Sequence, residues 1–397
     1  MSETIVKGAQ TIATYEKALR DNYLPVWKNQ LGTEPSALLS KIKKITLKSD
    51  KIVASAPIGL SGGFGFGAEG QATPASGNVQ FERFETRAKD MYVNICISAK
   101  AVRLTGSGGA MANALDTEVK AAYETAKWNV GRALFGNGTG ILTTFKAAAS
   151  NAEAHTVTDT MYLKEGLIVD IYDASKKYTA TTRIKSVNKV TGAVEFADKV
   201  TSVIDGFITV QNSYNREITG LGTIFDKNVA SIYGVDKATN PYLYPIEVGV
   251  PAGADFDDGT ITKALRLAKR DKNSNIDMIL CGDEAYDNYV RYLRDSNTRI
   301  EEMSHTIQGG FKAIKFIFGN KEVDIVNESF VPANEMWGID SSALELHMQE
   351  WNFADLQGGG IFNLMENQSI YRALLANYGD LICTNPGGCV RIYEETE

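Results

Sequence analysis

The stretch 109–135 constrains the fold more than any other, because it predicts one long amphipathic helix. Its apolar residues recur in steps of three and four, the period of a helix with one buried face: Leu115, Val119, Tyr123, Ala126, Val130 and Leu134. The opposite face is predicted to carry the charged residues Asp116, Glu118, Lys120, Glu124, Lys127 and Arg132. Gly136 follows, at the position where a left-handed residue often ends a helix. At 1.5 Å per residue this helix is about 40 Å long, so the rest of the fold must be arranged along it.

Composition limits the classes of partner. The chain has 397 residues, of which 44% are hydrophobic, enough for a sizeable core and two or three domains. Its formal net charge of -7 argues against the basic face that strong, sequence-independent DNA binding needs. A protein that encloses nucleic acid without binding it tightly is compatible with this net charge. No signal sequence and no membrane-spanning apolar run is present, so we expect a soluble protein without membrane contact.

Cysteine and histidine usage predicts no metal site. The cysteines Cys96, Cys281, Cys383 and Cys389 form no C-x-x-C pair, and there are only three histidines. Cys383 and Cys389 can approach each other across 385–388, but free thiols in a reducing compartment are the favoured interpretation. We interpret His155, His305 and His347, which are scattered, as surface or packing residues.

An acidic group near residue 255 leaves two interpretations open. Asp255, Asp257 and Asp258 with Glu247 suit either a bound cation or a solvated loop with helix-capping aspartates, and we favour the loop. No motif brings a nucleophile, a base and an oxyanion donor together. We therefore predict no catalytic residue, no cofactor site and no metal site.

The first hundred residues are predicted to form a helical segment and an extended segment, and each of them buries little surface within a single chain. Segment 11–30 is an amphipathic helix with Tyr15 and Trp27 on its apolar side, and 36–44 is a second short helix. From 45 to 98 the pattern is extended and predicts a long two-stranded excursion with a glycine-rich tract in its first half. Such a ribbon is marginal alone, which favours a partner surface.

The glycine-rich tract also matches a nucleotide-binding motif in letters. Gly65-x-Gly67-x-x-Gly70 has the spacing of the dinucleotide fingerprint, which needs a helix directly after it. Residues 71–74 end in proline and do not start a helix, so we favour a flexible loop.

The remaining chain predicts two folded units. Residues 141–155 form an alanine-rich connector. Residues 156–211 contain four candidate strands (167–172, 182–187, 193–196 and 207–210), which suggest a small closed β-barrel. Such a barrel can bind a ligand or brace a surface, and we favour bracing because nothing in its loops converges into a site. Residues 215–251 are mostly loop. Beyond them, helices at 259–269 and 283–293 alternate with strands at 276–281, 314–318, 323–326, 336–339 and 344–348, which predicts an α+β domain. Strands at 381–383 and 389–392 close the chain.

The order of these parts resembles the major capsid protein of tailed bacteriophages, the Hong Kong 97-type shell fold. The tract 62–67 (GGFGFG) with Glu69 resembles part of the extended loop of that family, and 94–98 its returning strand. Residues 134–138 (LFGNG) resemble the end of the family's spine helix, and Asn385-Pro386 is similar to its terminal region.

The resemblance implies a division of the chain. It gives an N-terminal arm (1–44), an extended β-hairpin loop (45–100) and a peripheral domain with the spine helix (101–155). An inserted small β-barrel domain (156–212), an axial α+β domain (213–350) and return strands (351–397) follow. The family's loop lies across an adjacent subunit, and the N-terminal arm can also reach a neighbouring chain. We therefore expect inter-subunit contacts at Tyr15 and Trp27 in the arm and at Phe64, Phe66, Glu69, Phe81 and Phe84 in the loop.

The resemblance also implies a function without catalysis. We expect self-assembly into an icosahedral shell of hexamers and pentamers that encloses double-stranded viral DNA without reading its sequence. Implied partners are other copies of the chain, a separately encoded scaffolding protein, a portal protein and an optional decoration protein. Assembly would occur in the host bacterial cytoplasm and the product would be the virion. An encapsulin-type compartment with a protein cargo is one alternative. A nucleotide-dependent enzyme using the glycine-rich loop at 62–70 is another, from a different class.

Overall fold

The structure is a computed structural model that describes residues 31, 36–58, 63–70, 75, 77–98, 110–295, 305–306, 312–354, 361–365 and 368–395. Its helices are α1 (Leu38–Lys41), α2 (Ala110–Phe135), α3 (Gly222–Phe225), α4 (Asp258–Lys272) and α5 (Asp283–Asp295). Single 3-10 turns lie at Pro241–Leu243, Ser341–Ala343 and Pro386–Gly388. The predicted helix 11–30 lies outside the described residues.

Strands make up most of the regular structure. The first ten are β1 (Lys43–Thr46), β2 (Lys51–Ile58), β3 (Gln80–Arg87), β4 (Lys89–Ser98), β5 (Ile141–Thr144), β6 (Ala149–Thr156), β7 (Ile168–Tyr172), β8 (Tyr178–Asn188), β9 (Ala193–Ser202) and β10 (Phe207–Val210). The next seven are β11 (Ser231–Ile232), β12 (Val235–Asp236), β13 (Ile246–Val250), β14 (Met278–Cys281), β15 (His305–Thr306), β16 (Lys312–Phe318) and β17 (Lys321–Asn327). The last six are β18 (Glu335–Ile339), β19 (Leu344–Met348), β20 (Asn352–Phe353), β21 (Asn363–Leu364), β22 (Ile370–Cys383) and β23 (Val390–Glu394). The architecture is α+β, as predicted.

The long helix is confirmed as α2. The predicted apolar face is buried at Val119, Tyr123, Ala126, Val130 and Leu134, and it packs into the largest core of the molecule. The side chains of the first two turns, including those of Leu115 and Asp116, lie outside the described residues. One member of the predicted polar face is misplaced, because Arg132 is buried.

The strand β22 organises the sheet beside α2. It pairs antiparallel with β19 on one side and with β4 on the other, where the register runs from Ile370 opposite Ser98 to Gly379 opposite Lys89. β1 pairs in parallel with β19. Because this strand begins at Lys43, inside the short helix predicted at 36–44, that helix is confirmed only for the four residues of α1. The ribbon is also shorter than predicted. It consists of β2 and β3 alone, paired from Lys51 opposite Arg87 to Ile58 opposite Gln80.

A second sheet follows α2 directly. Its strand order is β5-β10-β7-β8-β9-β6, and a bridge between Phe145 and Val157 joins its two ends, so the sheet closes on itself. The predicted connector 141–155 is wrong, because β5 and β6 lie there and the sheet begins at Ile141. β6 has few β-branched or aromatic residues, and its pairing with β9 determines its conformation.

The third sheet has seven strands in the order β13-β23-β18-β14-β17-β16-β15. The helices α4 and α5 contribute to its apolar core, which confirms both predicted helices and the alternation of helix and strand. The predicted hairpin is also confirmed, since β16 and β17 turn through Gly319 at a φ of 61°. Part of the predicted loop 215–251 is instead β13, which pairs in parallel with β23.

Candidate assembly surfaces

The β2–β3 hairpin is fixed to the rest of the chain at its foot. Phe84 has no exposed surface and packs on Tyr233, with ring centroids 5.8 Å apart. The backbone N–H of Glu85 donates to the carbonyl of Tyr233 at 2.9 Å. Phe84 therefore belongs to the chain's own core and has no surface to offer a neighbouring subunit. The predicted inter-subunit contact at Phe84 is wrong, because tertiary packing on Tyr233 covers this face of β3.

A buried carboxylate joins the foot of the hairpin to two other segments. Asp380 of β22 accepts a hydrogen bond from the Thr86 hydroxyl of β3. It also accepts from the Thr219 backbone N–H at 2.7 Å and from the Thr219 hydroxyl at 2.9 Å. Burial raises the pKa of Asp380 above its usual value, and the hydrogen bonds oppose that shift. The hairpin foot is thus held by both apolar packing and a polar junction.

The far part of the hairpin is exposed. Phe64 is 84% and Phe66 96% exposed, and their rings touch each other edge to face with centroids 5.3 Å apart. Phe81 is 67% exposed because it lies on the face of β3 opposite Phe84. Glu69 is exposed as well. Large exposed apolar groups that lie together indicate an interaction surface. The other two predicted contacts, Tyr15 and Trp27, lie outside the described residues.

The glycine-rich tract lacks the surroundings of a phosphate-binding loop. The strand before it, β2, belongs to a two-stranded hairpin, whereas a dinucleotide fold needs a strand inside a parallel sheet. Residues 63–70 are all exposed, and a side chain at Gly67 would meet no heavy atom within 4 Å. The geometry therefore gives no support to the nucleotide-dependent enzyme.

A polar cleft of about 280 Å³ opens beside the hairpin foot, lined by Glu85, Thr86, Lys89, Asn137, Glu217 and Thr219 among others. Its carboxylates already have partners: Glu85 pairs with Lys51 at 2.6 Å, and Glu217 pairs with Arg132 at 2.6 Å. Paired carboxylates are poor candidates for general acid–base work. We interpret the cleft as the junction between the hairpin, the end of α2 and the segment after β10.

A buried ion pair attaches α2 to the segment that follows the closed sheet. Arg132 donates from Nη1 and Nη2 to the two carboxylate oxygens of Glu217, at 2.9 and 2.6 Å. The guanidinium also lies 5.9 Å from the ring centroid of Trp128. Sequence periodicity placed Arg132 on the exposed face, and no local signal identifies Glu217 as its partner.

The closed sheet is attached to α2 by aromatic side chains. Trp128 of α2 packs against the apolar interior of the sheet. The Tyr162 hydroxyl instead joins the sheet to the segment after β17, by donating to the carbonyl of Phe330 at 2.8 Å. His155 is a packing residue, as predicted: it lies between Phe145 and Phe196. The turns of the sheet carry exposed apolar residues, with Val190 95% exposed.

The other candidate groups are structural. Asp257 caps α4 by accepting from the Thr260 N–H at 2.7 Å, and Asp255 pairs with Arg291 at 3.0 Å, which supports the helix-capping interpretation. In the part of the chain that the structure describes, no three metal-ligating side chains converge. Within the same ranges, no helix is long and apolar enough to span a bilayer.

The cysteines are free thiols, as favoured from the sequence. Cys383 and Cys389 are both buried and lie within hydrogen-bonding distance of each other. This hydrogen bond and burial raise the pKa of the Cys389 thiol. A protonated thiol is a weak nucleophile, so Cys389 is a poor candidate for a reactive thiol.

Comparison with known proteins supports the capsid fold. No protein-family model and no curated protein matches the sequence. Solved structures do match. A chain of the cyanophage A-1(L) capsid asymmetric unit aligns with a TM-score of 0.55 and 13% identity, covering 91% of this chain and 93% of that one. A chain from the capsid of a native GTA particle aligns with a TM-score of 0.50 and 11% identity, covering 100% and 94%. At these identities the similarity establishes the fold, and the predicted resemblance is confirmed at that level.

Proposed function

We propose that this chain is a shell subunit, the major capsid protein of a tailed bacteriophage. It would self-assemble into an icosahedral shell of hexamers and pentamers around double-stranded DNA and have no catalytic role. The observation that carries the proposal is a hairpin with a buried foot and an exposed apolar tip, in a chain whose fold matches phage capsid chains over nine-tenths of its length. Such a hairpin has little to bind within its own chain and suits a neighbouring copy.

The proposed domains follow the observed elements. We assign α2 as the spine helix, the closed sheet β5–β10 as an inserted domain, and the seven-stranded sheet with α4 and α5 as the axial domain. The return strands are β20 to β23, and the N-terminal arm ends near β1. The proposed sites of contact with a neighbouring copy are now Phe64, Phe66, Glu69 and Phe81 on the hairpin, with Tyr15 and Trp27 in the arm.

The energetics favour assembly that rises steeply with protein concentration. Burying one exposed phenylalanine side chain is worth roughly 1.5–3 kcal/mol. In a shell each subunit both gives and receives every such contact, so small gains per contact repeat around the whole assembly. The remaining implied properties, residence in the virion and assembly in the host cytoplasm, belong to the same proposal.

Electron microscopy of the purified protein tests the proposal directly. We expect closed shells, rings or tubes from the wild type, with the ratio of absorbance at 260 and 280 nm reporting packaged nucleic acid. Phe66→Ser should raise the concentration needed for assembly about tenfold or more, because it removes most of one apolar contact. Phe66→Tyr keeps the ring and is the matched control, so it should assemble nearly as the wild type does.

A stable monomer or dimer at micromolar concentration, with and without co-expressed phage assembly proteins, would contradict the proposed shell role. Normal assembly of Phe66→Ser, together with normal assembly of a variant that also replaces Phe64 and Phe81 by serine, would contradict the hairpin tip as the site of contact. Shells filled with a protein cargo and free of nucleic acid would favour the encapsulin-type alternative.

A further inference from the structure

The solvent-facing side of α4 carries a row of basic side chains. The helix buries Ile261, Ala264, Leu265 and Ala268 in the core of the seven-stranded sheet, and its exposed basic residues are Lys263, Arg266, Lys269 and Arg270. Arg270 pairs with the adjacent Asp271 at 2.6 Å. Within the described ranges, the other three form no ion pair. The helix dipole favours cations in the last turn, but Lys263 and Arg266 lie in the middle of the helix, where that effect is absent.

The first half of α5 has the opposite charge on its exposed side. Asp283, Glu284 and Asp287 are all exposed, and none of them forms an ion pair in the part of the chain that the structure describes. The basic residues of this helix come later, and one of them, Arg291, pairs with Asp255 at 3.0 Å. The acidic side of α5 is therefore as free of partners as the basic side of α4.

The two helices lie on the same face of the sheet but over different strands. Both bury their apolar side chains in one core, with α4 packed on β13 and β23 and α5 packed on β17. One layer of the molecule thus presents a basic half and an acidic half. Lys263 and Arg266 are three residues apart, as are Glu284 and Asp287, so each pair has Cβ atoms roughly 5–6 Å apart. The two charged pairs therefore match in spacing as well as in sign.

We propose that the basic face of α4 in one copy of the chain docks on the acidic face of α5 in another copy. This contact rests on the proposed shell function and adds a second interface to that of the hairpin tip. Complementary charged faces select the correct partner and orientation more than they add affinity. Such selection suits copies that each carry a net charge of -7 and repel one another overall. Nucleic acid phosphates would bind α4 alone, and they would leave the acidic face of α5 without a role.

Charge reversal tests the contact in the full-length protein, with assembly followed by light scattering against concentration and by electron microscopy. One variant combines Lys263→Glu with Arg266→Glu, and a second combines Glu284→Lys with Asp287→Lys. Each should raise the concentration needed for assembly about tenfold or more, because like charges then face each other. Reversal of all four residues in one chain should return assembly to nearly the wild-type level.

An equimolar mixture of the two double variants separates a contact between copies from an effect within one chain. In the mixture the acidic α4 of one variant meets the basic α5 of the other, so assembly should recover. Lys177→Glu with Lys189→Glu is the matched control, because it makes the same change in net charge on exposed turns of the closed sheet and should assemble normally. All these positions are exposed, so the unfolding midpoints of dissociated subunits in urea should match the wild type.

The outcomes distinguish this contact from the shell function on which it rests. A wild type that never assembles would contradict the shell function itself. A wild type that assembles, together with normal assembly of both double variants, would overturn the helix contact alone. The contact would also be overturned if the mixture failed to recover. Loss of packaged nucleic acid without loss of assembly, confined to the α4 variant, would assign its basic face to nucleic acid instead.

Discussion

Removal of one partner from the Arg132–Glu217 pair should destabilise the fold strongly. The two side chains are 4% and 8% exposed, and both guanidinium–carboxylate hydrogen bonds are 2.9 Å or shorter. Arg132→Met keeps much of the apolar stem and leaves the Glu217 carboxylate buried without a partner. The typical cost of such a change is about 3–5 kcal/mol. Arg132→Met combined with Glu217→Leu leaves no buried charge, and its cost should fall to about 1 kcal/mol or less.

Urea unfolding of dissociated subunits, followed by tryptophan fluorescence, measures these differences. Trp128 lies beside the Arg132 guanidinium and gives a local signal. Arg270→Met is the control, because Arg270 pairs with Asp271 at 2.6 Å on an exposed surface, and this variant should leave the unfolding midpoint unchanged. The reasoning fails if Arg132→Met costs no more than Arg270→Met, or if the double variant is as unstable as the single one.

Four further substitutions test particular contacts, and the free energy of unfolding in urea is measured for each of them. Phe84→Ala should lower the free energy of unfolding by about 3–5 kcal/mol, because the ring is fully buried. Phe81 is three residues away and exposed, so Phe81→Ala should leave the free energy of unfolding nearly unchanged. Equal losses in the two variants would contradict the assigned faces of β3. Gly282→Ala should prevent correct folding or greatly reduce stability, because its Cβ would lie 2.0 Å from the carbonyl oxygen of Pro332. A Cβ at Gly67 would meet nothing within 4 Å, so Gly67→Ala should fold as the wild type does and show at most a defect in assembly, whereas in a nucleotide-dependent enzyme it would abolish nucleotide binding.

Local sequence signals predicted those elements whose structure is determined locally. The period of apolar residues predicted α2 to within one residue of its observed start, because one helix face meets one core. The Gly319-Asn320 pair predicted the turn between β16 and β17, since a two-residue hairpin turn needs a positive φ. The resemblance to a known family then supplied the order of the parts, which no single motif determines.

The errors occur where a distant residue decides the outcome. Arg132 looked exposed because charged residues usually are, but Glu217, 85 positions later, makes its burial favourable. Phe84 looked like a contact for a neighbour because its strand looked isolated, but Tyr233 covers it. β6 carries no strand signal of its own and forms because β9 offers a partner. None of these partners can be identified from a local window of sequence.

The same long-range contacts bear on the proposed role in assembly. Phe84 and Asp380 fix the foot of the hairpin, and Glu328 with Ser36 fixes the start of α1. Binding costs less when a contacting element is already ordered, because less conformational entropy is lost at the interface. These contacts therefore fix the foot of the hairpin, while Phe64 and Phe66 remain exposed and available to another copy. Weakening the foot, for example with Asp380→Ala, should therefore reduce assembly even though Asp380 touches no proposed interface.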